Sequence, residues 1–340
     1  MSDKYRIDSE KIRFHPKRVA QLLEADDWVK SREVYPIYVE VSPIGACNQR
    51  CQFCAVDYLG YQPDRLDFKR YYLNIHQMAQ LGVKSVMFAG EGEPLLHSSI
   101  DDMIEMTTDY GISVAITTNG TLLHKLDNIH KCEWIKVSLN AGTKTTYAKI
   151  HGTREKDFDI VLANLADAVQ RKGNCTIGAQ MVLLPENHHE VETLRQITKD
   201  LGLDYLVIKP YSQHNKSLNR METFKPDNAP DGVIFRSEAF NADALKFDKC
   251  HATPNIWAYI QSNGDVYSCS AYIGDDRFKL GNINQESFKS IWQGDKRRIN
   301  RAYVMNELNI NECRVNCRMA RANEYLDQII NEKVPHANFI

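Results

Sequence analysis

Residues 85–120 read SVMFAGEGEPLLHSSIDDMIEMTTDYGISVAITTNG. A short apolar and β-branched run, Ser85–Ala89, gives way to apolar residues at helical spacing over His97–Asp109, then to a second run, Ser113–Thr117. Glycine and polar residues punctuate each change. The unit is strand, helix, strand. The same alternation extends from Tyr35 to Tyr211, with further strands expected at Ile37–Val41, Trp134–Leu139, Thr176–Leu183 and Tyr205–Lys209. The other helices are expected at Phe68–Leu81, Leu122–Asp127, Phe158–Arg171 and His189–Leu201. Repeated units of this kind need crossover connections, which place parallel strands side by side under a layer of helices. Six units are too few to close an eight-stranded barrel. The expectation is an open, curved α/β sheet, a partial (β/α)6 barrel, with function gathered at the carboxyl ends of its strands.

After His214 the pattern changes. Asn215–Asn241, with Pro226 and Pro230, is polar and irregular and reads as a linker or lid. Ile256–Gln261, Ser262-Asn263-Gly264-Asp265 and Val266–Cys269 make a hairpin signal, because Asn-Gly supplies the positive φ angles of a tight reversing turn. Helices are expected at Ser287–Trp292 and Arg318–Asn331. The organisation is then an N-terminal extension (1–34), the partial barrel (35–214), the linker (215–249) and a C-terminal domain (250–340).

With 42 basic against 44 acidic residues, the net charge of −2 gives no general field for nucleic acid or an anionic membrane. No apolar run approaches the roughly 20 residues of a membrane span. Met1–Arg13 is charged throughout and lacks the apolar centre of a secretory signal, so a cytoplasmic protein is expected. Cysteines stay reduced there, and unusual spacing points to metal or catalysis before disulfides. Of nine cysteines, seven fall into two groups; Cys132 and Cys175 stand alone and read as core packing.

The first group, Cys47, Cys51 and Cys54, is a C-x3-C-x2-C run, CNQRCQFC, in the loop after the first strand. Closely spaced thiolates can take three corners of an iron–sulfur cube and leave the fourth iron without a protein ligand. A zinc site normally uses C-x2-C pairs and a fourth ligand. The second group, Cys250, Cys269, Cys313 and Cys317, brackets the hairpin and ends in C-x3-C. Four cysteines complete either a closed 4Fe–4S site or a structural zinc site.

The first run, with Phe53 before its third cysteine, resembles the hallmark of the radical S-adenosylmethionine (SAM) superfamily. Gly90-Glu91-Gly92-Glu93-Pro94 resembles the family's GGE element in a GxGEP form, Thr117-Thr118-Asn119-Gly120 its TNG segment, and Val137-Ser138-Leu139-Asn140 its SLDG element. The resemblance implies a 4Fe–4S cluster on three cysteines whose open iron chelates SAM, and a deoxyadenosyl radical released when an electron arrives. By the same resemblance Gly90 and Gly92 allow close approach to the cofactor, and Glu93 accepts from the SAM ammonium group. Thr118 and Asn119 cap a turn or touch SAM, Ser138 and Asn140 bond its ribose hydroxyls, and Gln180 on the fifth strand faces the same pocket. Lys209, Tyr211 and His214, crowded at the sixth strand's end, are candidates for binding substrate.

The surroundings of the second group, including Leu280-Gly281-Asn282-Ile283 and Ser290-Ile291-Trp292, resemble SPASM and twitch extensions. A full SPASM module carries more cysteines, so this chain looks more like a twitch domain with one auxiliary 4Fe–4S cluster, although C-x3-C departs from the usual C-x2-C. Such a layout implies hydrogen abstraction from a small molecule (a sugar, nucleotide sugar or aminocyclitol), with an electron passed to the auxiliary cluster in a net oxidation. Flavodoxin or ferredoxin would be the electron donor. Redox-neutral epimerisation or decarboxylation, and modification of a peptide, are the alternatives; a non-enzymatic adaptor would have no use for an open iron beside a GxGEP element. The 34-residue N-terminal stretch is short for a peptide-binding domain.

Overall fold

A computed structural model describes residues 3–7, 10–228, 230–240, 246–314, 316–332, 335–336 and 338. Asn241, the far end of the expected linker, and Met1 lie outside the described residues. Six strands carry the alternating region: β1 (Tyr38–Val41), β2 (Ser85–Phe88), β3 (Ser113–Thr118), β4 (Trp134–Ser138), β5 (Thr176–Leu183) and β6 (Tyr205–Pro210). They lie side by side in chain order, each parallel to the next. Four more follow: β7 (Ile234–Phe235), β8 (Trp257–Ile260), β9 (Asp265–Tyr267) and β10 (Lys279–Asn282).

The C-terminal hairpin joins this sheet instead of standing apart from it. β8 pairs parallel with β1, Tyr38 opposite Trp257 through Val41 opposite Ile260, and β9 and β10 continue antiparallel. The sheet therefore has ten strands in the order β10-β9-β8-β1-β2-β3-β4-β5-β6-β7. The two-residue β7 sits within the stretch expected to be a linker, parallel to β6.

Strand alternation separates core from cavity. In β4, Ile135 and Val137 are fully buried beneath the helical layer, while Trp134, Lys136 and Ser138 keep accessible surface on the other face. The outer face packs as one cluster with the helices, through Val86, Phe88 and Ile116 against Ile75, Met103 and Leu165. Burying such side chains contributes about 1.5–3 kcal/mol each. The principal covering helices are Phe68–Gln80, capped by Asp67 accepting from Arg70 N, Ile100–Asp109, Glu155–Arg171 and Val191–Asp200.

Three elements differ from expectation. Leu122–Asp127 is not an α-helix but part of two 3-10 turns, Leu123–Lys125 and Asn128–Lys131, because Asp101 takes the Asp127 and Asn128 amides and Arg171 takes the Leu126 carbonyl. Lys144–His151 is an additional helix, capped by Thr143 at its start and Gly152 at its end. Asp295–Asn306 is another, packed beside Phe288–Gln293. It carries Arg297, fully buried, whose guanidinium donates to the carbonyls of Pro254, Trp292, Ser31 and Val34. That one side chain ties the N-terminal stretch to the C-terminal region.

Candidate functional site

The first cysteine group sits on a loop braced from two sides. The last carbonyls of helix Lys144–His151 would otherwise lack partners; Arg50 N donates to His151 O (3.0 Å) and Gln52 N to Ile150 O (2.9 Å). Gly152 ends that helix at φ +57, with the Arg50 carbonyl where a side chain would stand, so glycine is required twice over. On the other side, Glu93 N donates to Ala46 O (3.0 Å), and a Cβ at Gly92 would collide with the Ile44 and Ala46 carbonyls. The GxGEP segment and the cysteine loop are thus in backbone contact.

Cys47, Cys51 and Cys54 are free, partly accessible thiols within electrostatic reach of one another. Burial pushes Cys47 up to about 11 and raises Cys51 and Cys54 as well. Unloaded, all three hold their protons; binding iron expels them. Backbone amides of Gln49 and Val56 and the Tyr61 hydroxyl lower Cys47 or Cys54 against that trend, as donors aimed at cluster sulfurs do. His151 Nδ1 lies 3.4 Å from Cys51 Sγ and 2.9 Å from Gln49 Oε1; its Nε2 faces Asn140 Nδ2 at 3.3 Å. Burial lowers His151 to about 4. It is therefore neutral near pH 7; a proton on Nδ1 answers Gln49 Oε1, and a proton on Nε2 answers Leu139 O at 3.2 Å. Phe53 meets its ring edge-on at 5.3 Å, and Tyr147 stacks on it at 4.3 Å.

The motif residues of the next strands form one connected network. Glu93, 2% exposed, accepts from Thr118 Oγ1 (2.6 Å), Asn119 N (2.7 Å) and Leu95 N (3.1 Å). Asn119 Nδ2 donates to Asn48 Oδ1 (2.7 Å), and Asn48 Nδ2 to Thr121 Oγ1 (2.8 Å), which brings the third strand's end onto the cysteine loop. Glu93 Oε2 accepts one bond and keeps capacity for another donor. Asn140, fully buried at φ +58, accepts from Val182 N (2.7 Å) and so pins β4 to β5. Ser138 lies opposite Gln180 in the β4–β5 ladder.

Glu91, between the two motif glycines, faces the other way. Its carboxylate accepts from Ser262 N (3.1 Å), the Ser262 hydroxyl and Tyr259 OH (3.4 Å). Burial raises its pKa while the Ser262 bonds oppose the rise. Glu91 joins the hairpin turn to the GxGEP segment.

Cys250, Cys269, Cys313 and Cys317 are also free thiols, and Cys269 feels the other three electrostatically. Asn323 Nδ2 donates to Cys250 Sγ (3.3 Å) and Met319 N to Cys317 Sγ (3.4 Å), while the Tyr272 hydroxyl lies 3.3 Å from Cys313 Sγ. Burial pushes Cys317 up to about 12 and raises Cys269 and Cys313. Among the described residues no His, Cys, Asp or Glu set is arranged to hold a single metal ion. Thiols with N–H and O–H donors at hydrogen-bond range fit a thiolate-held cluster.

All four of these cysteines line one cavity of about 740 Å³, bordered opposite by Gly90, Thr117 and Gln180. Lys209 opens into it together with Lys136, Arg236, Arg314 and Arg318; Glu40 and Glu133 are the carboxylates of its lining among the described residues. Burial lowers Lys136 to about 8, aided by Arg318 and Arg236, and lowers Lys209 as well, aided by Lys136, Arg236, Arg314 and Arg318. Glu40 pairs with Arg318, which also donates to Tyr38 OH (2.9 Å), and Arg314 donates to Ser212 Oγ (2.9 Å) and O (3.1 Å). Tyr211 is outside this lining and packs with Val182 and Leu184. His214 is outside it too: it stacks on Tyr58, meets Ala271 O through Nε2 (2.8 Å) and accepts from Lys216 N at Nδ1 (3.0 Å). Cys132 and Cys175, 3% and 2% exposed, are core residues away from the cavity.

Sequence reading missed Lys136, Arg236, Arg314, Arg318, Glu91 and His151. A charged residue at an alternating position of an apolar strand, Lys136, and arginines directly after Cys313 and Cys317 were the available signals.

Comparison with known proteins agrees with this geometry. Residues 41–197 match the family model described as the radical SAM superfamily, and residues 250–318 match SPASM, an iron–sulfur cluster-binding domain. The GTP 3',8-cyclase of Chlorobaculum tepidum is 30% identical over 52% of this chain, and a probable GTP 3',8-cyclase of Methanothermobacter marburgensis is 27% identical over 59%. The chain spans 55% and 62% of those two relatives' lengths. A tungsten-containing aldehyde ferredoxin oxidoreductase cofactor-modifying protein of Pyrococcus furiosus is 20% identical over 76% of this chain and 81% of its own. Among solved structures, Streptococcus suis SuiB bound to precursor peptide SuiA superposes with a TM-score of 0.62 at 16% identity, covering 84% of this chain and 69% of that one. The structure of native anSMEcpe with bound AdoMet and Cp18Cys peptide gives 0.55 at 16%, covering 85% and 88%. No helix among the described residues is long and apolar enough to cross a membrane.

Proposed function

The chain is a radical SAM enzyme with a SPASM cluster-binding domain, and from that premise we propose that it removes two hydrogens from a small molecule held between its two cluster sites. SAM and two 4Fe–4S clusters are its cofactors, and when bound they supply a hydrogen-abstracting adenosyl fragment at one end and an electron acceptor at the other. We assign the first cluster to Cys47, Cys51 and Cys54, and the second to Cys250, Cys269, Cys313 and Cys317. The division at residues 34, 214 and 249 belongs to the same reading.

One observation carries it. A single cavity runs from Gly90, Thr117 and Gln180, on the SAM side, to all four C-terminal cysteines. A substrate in it would lie between the motif residues Gly90, Thr117 and Gln180 and the second cluster's cysteines. Held by Cys250, Cys269, Cys313 and Cys317, the second cluster would supply the acceptor for the electron that removal of a hydrogen atom and a proton leaves behind. The starting electron comes from an external one-electron donor such as flavodoxin or ferredoxin. The chain's own residues place the substrate and keep the reacting carbon from bulk water. Epimerisation with a thiol as returning hydrogen donor finds less support, because Cys132 and Cys175 are packed in the core.

The test is anaerobic incubation of reconstituted full-length protein with SAM, dithionite and sugar or nucleotide-sugar candidates. The reading expects 5'-deoxyadenosine and a product two hydrogens lighter. A product of unchanged mass would replace dehydrogenation by a redox-neutral reaction. Intact SAM cleavage by Cys51→Ala would overturn the first cluster's assignment.

A further inference from the structure

The cavity carries more positive charge than its cofactors and its own carboxylates use. Arg318 is matched by Glu40. Arg314 follows Cys313 directly and lies within electrostatic reach of Cys317, beside a four-thiolate cluster with roughly two negative charges. Of the other lining cations, Arg236 has an interaction of its own and Lys11 feels Asp3, which leaves Lys136 and Lys209. Among the described residues neither ammonium has a hydrogen bond or ion pair; Lys136 has only the Trp134 ring, 5.6 Å from its Nζ. They come from different strands, β4 and β6, and point into the same space, where Lys209 feels Lys136 and three arginines.

Cations crowded this way are costly to hold without an anion. The floor is otherwise aromatic and apolar, with Tyr38, Met87, Trp134 and Tyr205; of the two lining carboxylates, Glu40 is engaged by Arg318 and eases Lys136 only in part, and Glu133 accepts from Ser113 Oγ. A monoanion such as a carboxylate would answer one lysine; two unmatched ammonium groups facing each other call for two negative charges on one ligand. Phosphoryl groups bring these charges, with several acceptor oxygens for point-charge donors such as lysine.

Resting on the reading above, we infer that the substrate is phosphorylated, a sugar phosphate or nucleotide sugar, and that Lys136 and Lys209 grip its phosphoryl end. An aminocyclitol, itself a cation, is thereby disfavoured. The radical chemistry then falls at the ligand's other end, toward the cysteines and Gly90. The space of about 740 Å³ is shared with the second cluster on its four cysteines, so the substrate takes the remainder on the lysine side.

Inorganic pyrophosphate and acetate are titrated into reconstituted holoenzyme by calorimetry. Pyrophosphate should bind at least tenfold more tightly than acetate. Lys136→Met and Lys209→Met should each weaken it tenfold or more, whereas Lys136→Arg and Lys209→Arg should stay within about threefold. The exposed Lys125→Met serves as control. Pyrophosphate binding no tighter than acetate in the unaltered protein, which needs no variant to fold, overturns the proposal; so does unchanged binding in both methionine variants. The two readings fail separately. Deoxyadenosine formation without pyrophosphate binding leaves the radical reaction standing and removes the phosphate, and pyrophosphate binding without deoxyadenosine does the reverse.

Discussion

Replacing Glu91 tests whether the two cluster sites are held in register by a buried carboxylate. In Glu91→Ala three donors lose their acceptor: Ser262 N–H, the Ser262 hydroxyl and Tyr259 OH. The hydroxyls can turn toward other acceptors, but the Ser262 amide cannot. Bonds to a charged group contribute about 1.5–3 kcal/mol each, and an orphaned buried amide costs about 1–3 kcal/mol. Against this stands the cost of burying Glu91 itself, visible in its raised pKa. The expected net loss is about 2–4 kcal/mol. Glu91→Gln keeps an acceptor for Ser262 and can donate to the Tyr259 oxygen, so its loss should be about 1 kcal/mol. Guanidinium unfolding of iron-loaded protein, followed through tryptophan fluorescence, measures both; Trp257 on β8 and Trp292 report from the region concerned. Iron content of the alanine variant should fall as well. An alanine variant as stable as the parent would remove the brace. A glutamine variant as damaged as the alanine one would mean that the charge, not the acceptor, matters, and would refute the account of Glu91.

Other expectations follow from the same structure. Arg297→Met leaves the Pro254, Trp292, Ser31 and Val34 carbonyls without their shared donor and should cost about 3–5 kcal/mol by denaturant unfolding. Cys269→Ala should lower bound iron from about eight to about four atoms per chain, by colorimetric assay, while the first cluster's spectrum persists. His151→Phe removes the ring nitrogen 3.4 Å from Cys51 Sγ, and with the proton on that nitrogen the contact strengthens when the cluster gains an electron. The first cluster's potential should fall by on the order of 40 mV, the one-electron equivalent of about 1 kcal/mol, by redox titration. Lys136, facing Lys209, Arg236, Arg318 and Glu40, has its pKa lowered from 10.5 to about 8. Between these values the unfolded chain binds more protons, so this lysine's burial weighs fully on stability below about pH 8, and the penalty lifts as pH rises toward 10.5. Pyrophosphate binding should instead weaken as pH passes about 8, by calorimetry; binding that is flat from about pH 7 to about pH 10 would contradict the assignment.

The sequence was most legible where chemistry or geometry acts over a few residues. Parallel strands buried on both faces are short β-branched runs, and β5 is found where Thr176–Leu183 predicts it. Three thiolates on one cubane must be close in the chain, so Cys47, Cys51 and Cys54 stand out. Features made by closure of the sheet did not. Lys136, Arg236, Arg314 and Arg318 are spread over nearly two hundred residues, and only the curved sheet brings them to Lys209, which the sequence did single out. The helix Lys144–His151 was also missed; its Lys-Thr-Thr-Tyr start favours helix weakly, and the Thr143 cap and the docked cysteine loop complete it. Glu93 shows a third case. Read as an acceptor for a ligand's ammonium group, it already braces Thr118, Asn119 and Leu95, and burial raises its pKa.

The parallel ladder between β1 and β8 has a practical meaning for anyone dissecting this protein. A fragment ending before residue 250 would strip β1 of its outer neighbour and leave a row of unpaired amides and carbonyls along Tyr38–Val41. Bare flanks of that kind recruit other chains. The amino-terminal half, expressed by itself, is expected to aggregate even with its own cysteines and core intact, since the strand that shields it is made some two hundred residues later.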